Sequence, residues 1–341
     1  MILSRRPILP ANLRLESAAC LSCQWRSFST SYRRLAEKDN PAAADSQDGP
    51  PPPPSALEGA PKAYGKTVEE FTPKPLNRPI GLPTPPRAGQ NTGIDYRSWS
   101  QRRADFVDYE KHVARRKDLT HKISKPYFRE WTNMRLHKGK SFLAPPRLFR
   151  SDKSLYFPNF HGQTLTKDKK LIDTTPVLAG KVSVVSIFSS AWAEGQAATF
   201  VSVQDNPELN QAVKSSGGAA QLVKINIEDN WLKAAIVRFF MGGLRKKLGF
   251  DNWGRYFLVV RGVTDDMRDS IGLLNSKVGY TYLLDEQCRI RWAGSGRAEA
   301  GEKESLVKGV RRLLEDKKQV AAPAQKVEPQ KVEDQKAPVA V

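Results

Sequence analysis

Cysteine is almost missing from this chain: three in 341 residues, at Cys20, Cys23 and Cys288. That scarcity excludes a disulfide framework and leaves no thiol set for a structural zinc site. Histidine is nearly as rare. His112, His121 and His137 show no metal-ligand spacing, and no cysteine lies near them. His161 is the only histidine after residue 137, so no Ser/His/Asp set assembles there. Long apolar runs are also absent. No uncharged stretch reaches the roughly 18–20 residues needed to span a bilayer, so a peripheral or soluble protein is expected. A phosphate-binding loop is lacking too, because Gly294-Ser295-Gly296 is not followed by the Lys-Ser/Thr of a P-loop. Acidic residues are outnumbered, 36 against 55 Lys plus Arg, for a net charge of +19. Such a surplus favours anionic partners: nucleic acid, anionic lipid or acidic protein.

What is present is unevenly distributed. In residues 1–35, six arginines (Arg5, Arg6, Arg14, Arg26, Arg33, Arg34) face one acid, Glu16, among many hydroxyl residues. This is the pattern of a mitochondrial transit peptide, and Arg26-Ser27-Phe28-Ser29 resembles a processing site with cleavage after Phe28. The expected leader, 1–28, therefore carries away Cys20 and Cys23. Residues 29–92 are rich in proline and poor in large apolar side chains, which predicts a disordered linker. Residues 93–147 form a basic helical extension. Phe106, Val107, Tyr109, Val113 and Leu119 share a loose helical face that Pro126 ends, and Tyr127, Trp131, Met134 and Leu136 suggest a shorter second helix. Counted from 93 to 150, Lys plus Arg total fifteen against six acids. Charge interleaved with aromatics permits nucleic-acid binding, but a solvated amphipathic helix docked on its own domain is the expected reading. Residues 319–341 repeat Lys-Val-Glu around prolines and read as a disordered tail.

The folded domain is expected over 148–318. Val182 to Phe188 is continuously apolar apart from two serines and β-branched-rich, which suits a strand buried on both faces. Ser189-Ser190 breaks it and a helix follows from Ala191. Strands are predicted at Ala220–Ile227, Tyr256–Val260, Tyr280–Asp285 and Arg289–Ala293, the last two a hairpin. Helices are predicted at Trp231–Leu248, Asp265–Ile271 and Glu302–Leu314. The order βαβαβαββα predicts an α/β layer fold with a mixed central sheet flanked by helices. Leu155 to Phe160 precedes it as an apolar lead-in, with a turn at His161-Gly162.

This pattern is thioredoxin-like, without the redox Cys-x-x-Cys that such proteins carry in the turn after the opening strand. The turn here reads Ser-Ser-Ala-Trp-Ala-Glu-Gly-Gln. A second hallmark, a cis-proline before the first hairpin strand, is replaced by Gly279 in Val278-Gly279-Tyr280-Thr281-Tyr282-Leu283-Leu284-Asp285. Both halves of a redox site are missing together, which points to a scaffold used for binding. A groove between the two turns would carry Trp192, Glu194, Gly279 and Tyr280. The stretch Trp231–Leu248 is apolar nearly all round and ends in Arg245-Lys246-Lys247. It is either a core helix with a basic end or a surface for a membrane or membrane-protein client, with Trp231, Phe239 and Arg245 as contacts.

The runs LYFPNFHGQTL, GKVSVVSIFSSAWAEGQAATF, INIEDNWLKAAIVRFFMGGLRKKLG, YFLVVRGV and IGLLNSKVGYTYLLDEQCRIRWAGSGRAE resemble the mitochondrial ATP synthase assembly factors of the ATP-ten type, over about residues 147–315. The resemblance implies a non-catalytic chaperone without cofactors, peripheral on the matrix side of the inner membrane. It implies a client, newly made subunit a (subunit six), and help in joining it to the subunit c ring. Two other classes remain open from the residues themselves. One is a peroxiredoxin-like thiol oxidoreductase using Cys288. The other is a mitochondrial ribosome or RNA-associated factor using the basic extension, although nucleic acid is not the expected partner.

Overall fold

The computed structural model describes residues 57–321 except 66, 124, 125 and 127. The expected leader with Cys20 and Cys23, the first part of the linker, Tyr127 and nearly all of the tail lie outside the described residues. The chain runs through helices α1 (Trp99–Val107), α2 (Tyr109–Ile123) and α3 (Arg129–Asn133) into strands β1 (His161–Thr164) and β2 (Leu171–Asp173). A one-turn helix α4 (Thr175–Leu178) precedes β3 (Val182–Phe188), α5 (Ala191–Val201), α6 (Pro207–Ser215), β4 (Ala220–Ile227) and α7 (Trp231–Leu248). Then come β5 (Tyr256–Val259), α8 (Asp265–Ser270), β6 (Tyr280–Leu284), β7 (Ile290–Ser295) and α9 (Ala300–Ala321).

One mixed sheet has the order β2-β1-β5-β4-β3-β6-β7. β3 pairs parallel with β4 and antiparallel with β6, and every β3 residue is buried, its two serines included, as expected of a largely apolar, β-branched-rich strand covered on both faces. The β4-β3-β6-β7 block, with α5 crossing from β3 to β4 and α9 following the β6–β7 hairpin, is the thioredoxin-like arrangement. One face carries Val182, Val184, Phe200, Leu209, Trp292, Leu306 and Val310, under α5, α6 and α9. The other carries Val185, Ile187, Val223 and Ile225. It is covered by α8 and by irregular chain bearing Leu76, Ile80, Phe142, Phe157 and Phe160.

Three boundaries differ from expectation. His161-Gly162 opens a strand, not a turn: β1 pairs antiparallel with β2 and β5, and a Cβ on Gly162 would lie 2.8 Å from the Leu258 carbonyl oxygen. The glycine is there for close strand approach, a requirement invisible until β5 is beside it. The predicted linker to residue 92 is partly built into the domain, since Leu76 and Ile80 are buried and backbone bonds join Leu76 to Leu143 and Leu82 to Tyr156. Few apolar residues suffice where an extended segment pairs its backbone with a formed core. The 93–147 extension divides in two. Helix α1 buries no residue, whereas residues 130–144 are integral to the fold.

Candidate functional site: a closed groove and an open helix face

The turn after β3 spends both its hydroxyls on structure. Ser190 caps α5, accepting from the Ala193 N–H at 3.1 Å, and Ser189 donates to the Ser276 carbonyl. Gly279 lies against α5 so tightly that a Cβ would fall 2.2 Å from the Ala193 carbonyl oxygen and 2.9 Å from the Ala197 nitrogen. Its N–H donates to Gln196 Oε1 at 3.1 Å, while Gln196 Nε2 donates to the Lys138 carbonyl at 3.0 Å. One glutamine therefore staples the two turns to residues 137–144.

That segment fills the expected groove. Ser141 Oγ meets the Tyr280 hydroxyl at 3.3 Å, and Phe142 packs its ring near Tyr280. Lys140 Nζ reaches Glu302 Oε2 at 2.7 Å in a buried pair, and Glu302 Oε1 accepts the Ala144 N–H. On the flank, Glu130 accepts from both the N–H and the hydroxyl of Ser276. Tyr280 is 1% exposed, its hydroxyl also accepting the Asn275 N–H, and burial pushes its pKa up to about 12. Gly279 and Tyr280 thus cannot line a surface groove: the chain's own extension occupies that space, which local pattern could not show. Glu194 is half-buried and pairs with Lys224 at 3.1 Å. Trp192 alone of the four faces solvent, 58% exposed.

Cys288 lies elsewhere. Leu284 pairs with Ser183 at the start of β3, so the β6–β7 turn sits at the opposite end of the sheet from Ser189. The thiol is buried, and burial with Asp285 beside it pushes its pKa up to about 11. A reactive thiol needs the reverse environment. Among the described residues no group of three or more metal-ligating side chains occurs.

Helix α7 is the open surface. It packs Ala234 and Met241, with Val237, Leu244 and Leu248, against Phe188, Ala193, Tyr256 and Leu258. The opposite side is apolar as well. Trp231 is 74% and Phe239 83% exposed, with Leu232, Ile236 and Phe240 also open to solvent. Leu232, Ile236, Phe239 and Gly243 fall at i, i+4, i+7 and i+11, one continuous stripe. Arg245 is not part of it. Its guanidinium donates to the Leu165 carbonyl at 2.6 Å and lies over the Trp253 ring, clamping the helix to the β1–β2 loop. Among the described residues no helix is long and apolar enough to cross a membrane. The sequence pattern carries no sign of which α7 face turns inward, nor that the distant run Lys167-Asp168-Lys169-Lys170 lies beside the helix end, where Arg245 bonds the Leu165 and Thr166 carbonyls.

Sheet order, helix placement and the thiol-free turn define a thioredoxin-like protein without redox machinery at its usual position. The ATP10 protein family matches residues 62–313, and the chain belongs to that family. It is 32% identical over 256 residues to the Mitochondrial ATPase complex subunit ATP10 of Eremothecium gossypii, covering 73% of this chain and 90% of the relative. It is 30% identical over 258 residues to the Saccharomyces cerevisiae protein of the same name, covering 72% and 88%. Among solved structures, a secreted thiol-disulfide isomerase from Corynebacterium glutamicum aligns at 11% identity and TM-score 0.34, over 49% of this chain and 90% of its own. The mitochondrial 2-Cys peroxiredoxin of Plasmodium falciparum aligns at 16% identity and TM-score 0.28, over 51% and 98%.

Proposed function

We propose that this chain is an assembly factor of the mitochondrial ATPase complex. In this role it holds newly made subunit a at the matrix face of the inner membrane and helps it join the subunit c ring. It works by binding, with no catalytic turnover and no cofactor. The observation that carries the proposal is the outer stripe of α7: an apolar helix face that a membrane-protein segment can cover, on a chain whose relatives bear the name of that complex. Trp231 and Phe239 are the principal contacts, with Trp192, on the first turn of α5, as a further exposed ring. Each fully buried aromatic ring contributes about 1.5–3 kcal/mol of apolar transfer, so a few suffice for a transient hold. Glu194, Arg245, Gly279 and Tyr280 support the scaffold from within.

The test places a photoreactive amino acid at Trp231 or Phe239 of the full chain in intact mitochondria. An adduct with subunit a is expected from both positions. Adducts confined to ribosomal components, or equal yields from a control at exposed Glu304, overturn the proposal.

A further inference from the structure

The C-terminal end of α7 meets two other loops at one corner. Leu165 N–H donates to the Trp253 carbonyl, Trp253 Nε1 donates to the Arg245 carbonyl at 3.1 Å, and Arg245 donates to the Leu165 and Thr166 carbonyls. This frame holds the β1–β2 loop, the end of α7 and the 3-10 turn Phe250–Arg255 together. What it presents outward is Lys167, Lys169, Lys170, Lys246 and Lys247, all exposed, against only Asp168 and Asp251. None of the five lysines makes an ion pair among the described residues. Beside them Phe250 stands 77% exposed, its ring 4.9 Å from that of Trp253. Lys169 takes φ +54, the left-handed conformation of the loop that glycine or asparagine adopts more cheaply.

We propose that this corner docks on an anionic phospholipid surface, the five lysines meeting headgroup phosphates and Phe250 entering the acyl boundary. Free lysines attract any polyanion, but an exposed ring set beside them suits a bilayer interface. Nucleic acid would instead call for rings stacked within a basic groove. The proposal rests on the peripheral placement above and names the residues that achieve it. Lipid then holds the helix end while the Leu232–Phe239 stripe stays free for the client.

The test uses the full chain with vesicles of phosphatidylcholine alone or mixed with phosphatidylglycerol. Parent protein is compared with the variant Lys167→Gln/Lys169→Gln/Lys170→Gln/Lys246→Gln/Lys247→Gln. Each lysine near such a surface is worth about 1 kcal/mol, so the variant is expected to bind anionic vesicles at least about a hundredfold more weakly, with an unchanged melting curve. The basic residues before position 35 are common to both proteins, so a local probe accompanies the comparison. A photoreactive residue at Phe250 is expected to form lipid adducts with the anionic vesicles and not with phosphatidylcholine alone. Unchanged vesicle binding by the variant, or adducts with added RNA in place of lipid, overturns the proposal. Neither arm contains subunit a, so failure here leaves the crosslink from Phe239 standing, and the reverse.

Discussion

At the residue scale, Gly279 and Cys288 are the two positions whose surroundings bear most directly on redox chemistry. Gly279 is required because α5 passes too close for any side chain. Gly279→Ala sets a methyl against backbone atoms that cannot yield, and is expected to cost about 1–3 kcal/mol or more in urea unfolding. Proline there would also lose the N–H bond to Gln196. Cys288 is the one thiol among the described residues. Its pKa, pushed from 9.0 up to about 11 by burial and then by Asp285, leaves on the order of one thiolate in a thousand at pH 8. Alkylation of Cys288 in the native protein is expected to be negligible at pH 8 and complete only after denaturation. Because the folded value is raised, the stability from keeping this thiol neutral is full below pH 9 and lost as pH rises toward 11. Rapid native alkylation would reopen an oxidoreductase role.

At the element scale, the segment 137–144 is the piece that decides what the groove does. It is held by the buried Lys140–Glu302 pair, by Ser295, which serves both the Ser141 and Phe142 N–H groups, and by Gln196. Removing one member of a buried pair strands the other, so Lys140→Met is expected to cost about 3–5 kcal/mol. Adding Glu302→Gln removes the stranded charge while keeping an acceptor for the Ala144 N–H, and recovers part of the loss. Equal unfolding midpoints for the single and double variants would contradict the latch. Helix α7 behaves in the opposite way. Its inward residues fix it to the sheet and its outward ones belong to none of the core clusters, so the proposed client face and the stabilising face separate along one helix.

For the whole molecule this separation makes a further prediction. Leu232→Ser/Phe239→Ser changes only exposed positions and is expected to leave folding stability within about 0.5 kcal/mol of the parent. The same variant is expected to leave the ATPase complex short of subunit a, measured by native electrophoresis of mitochondrial extracts. A variant that unfolds, or one that supports a complete complex, would remove α7 as the client face.

Strands β3 to β7, the helix α7 from Trp231 to Leu248 and the absence of thiols from the turn were legible in the chain, because local apolar periodicity and residue chemistry encode them without reference to distant contacts, whereas β1 and β2 were not. The sequence by itself therefore determined a thioredoxin-like frame that lacks its usual thiol pair. It could not say that Tyr280 is sealed under Ser141, that Arg245 is spent on Leu165, or that proline-rich chain near Leu76 and Ile80 closes the core. Each of those depends on segments tens to more than a hundred residues apart. An apolar side chain also carries no mark of which neighbour will cover it. Tertiary structure alone settled that the groove is closed and that the outer face of α7 is open.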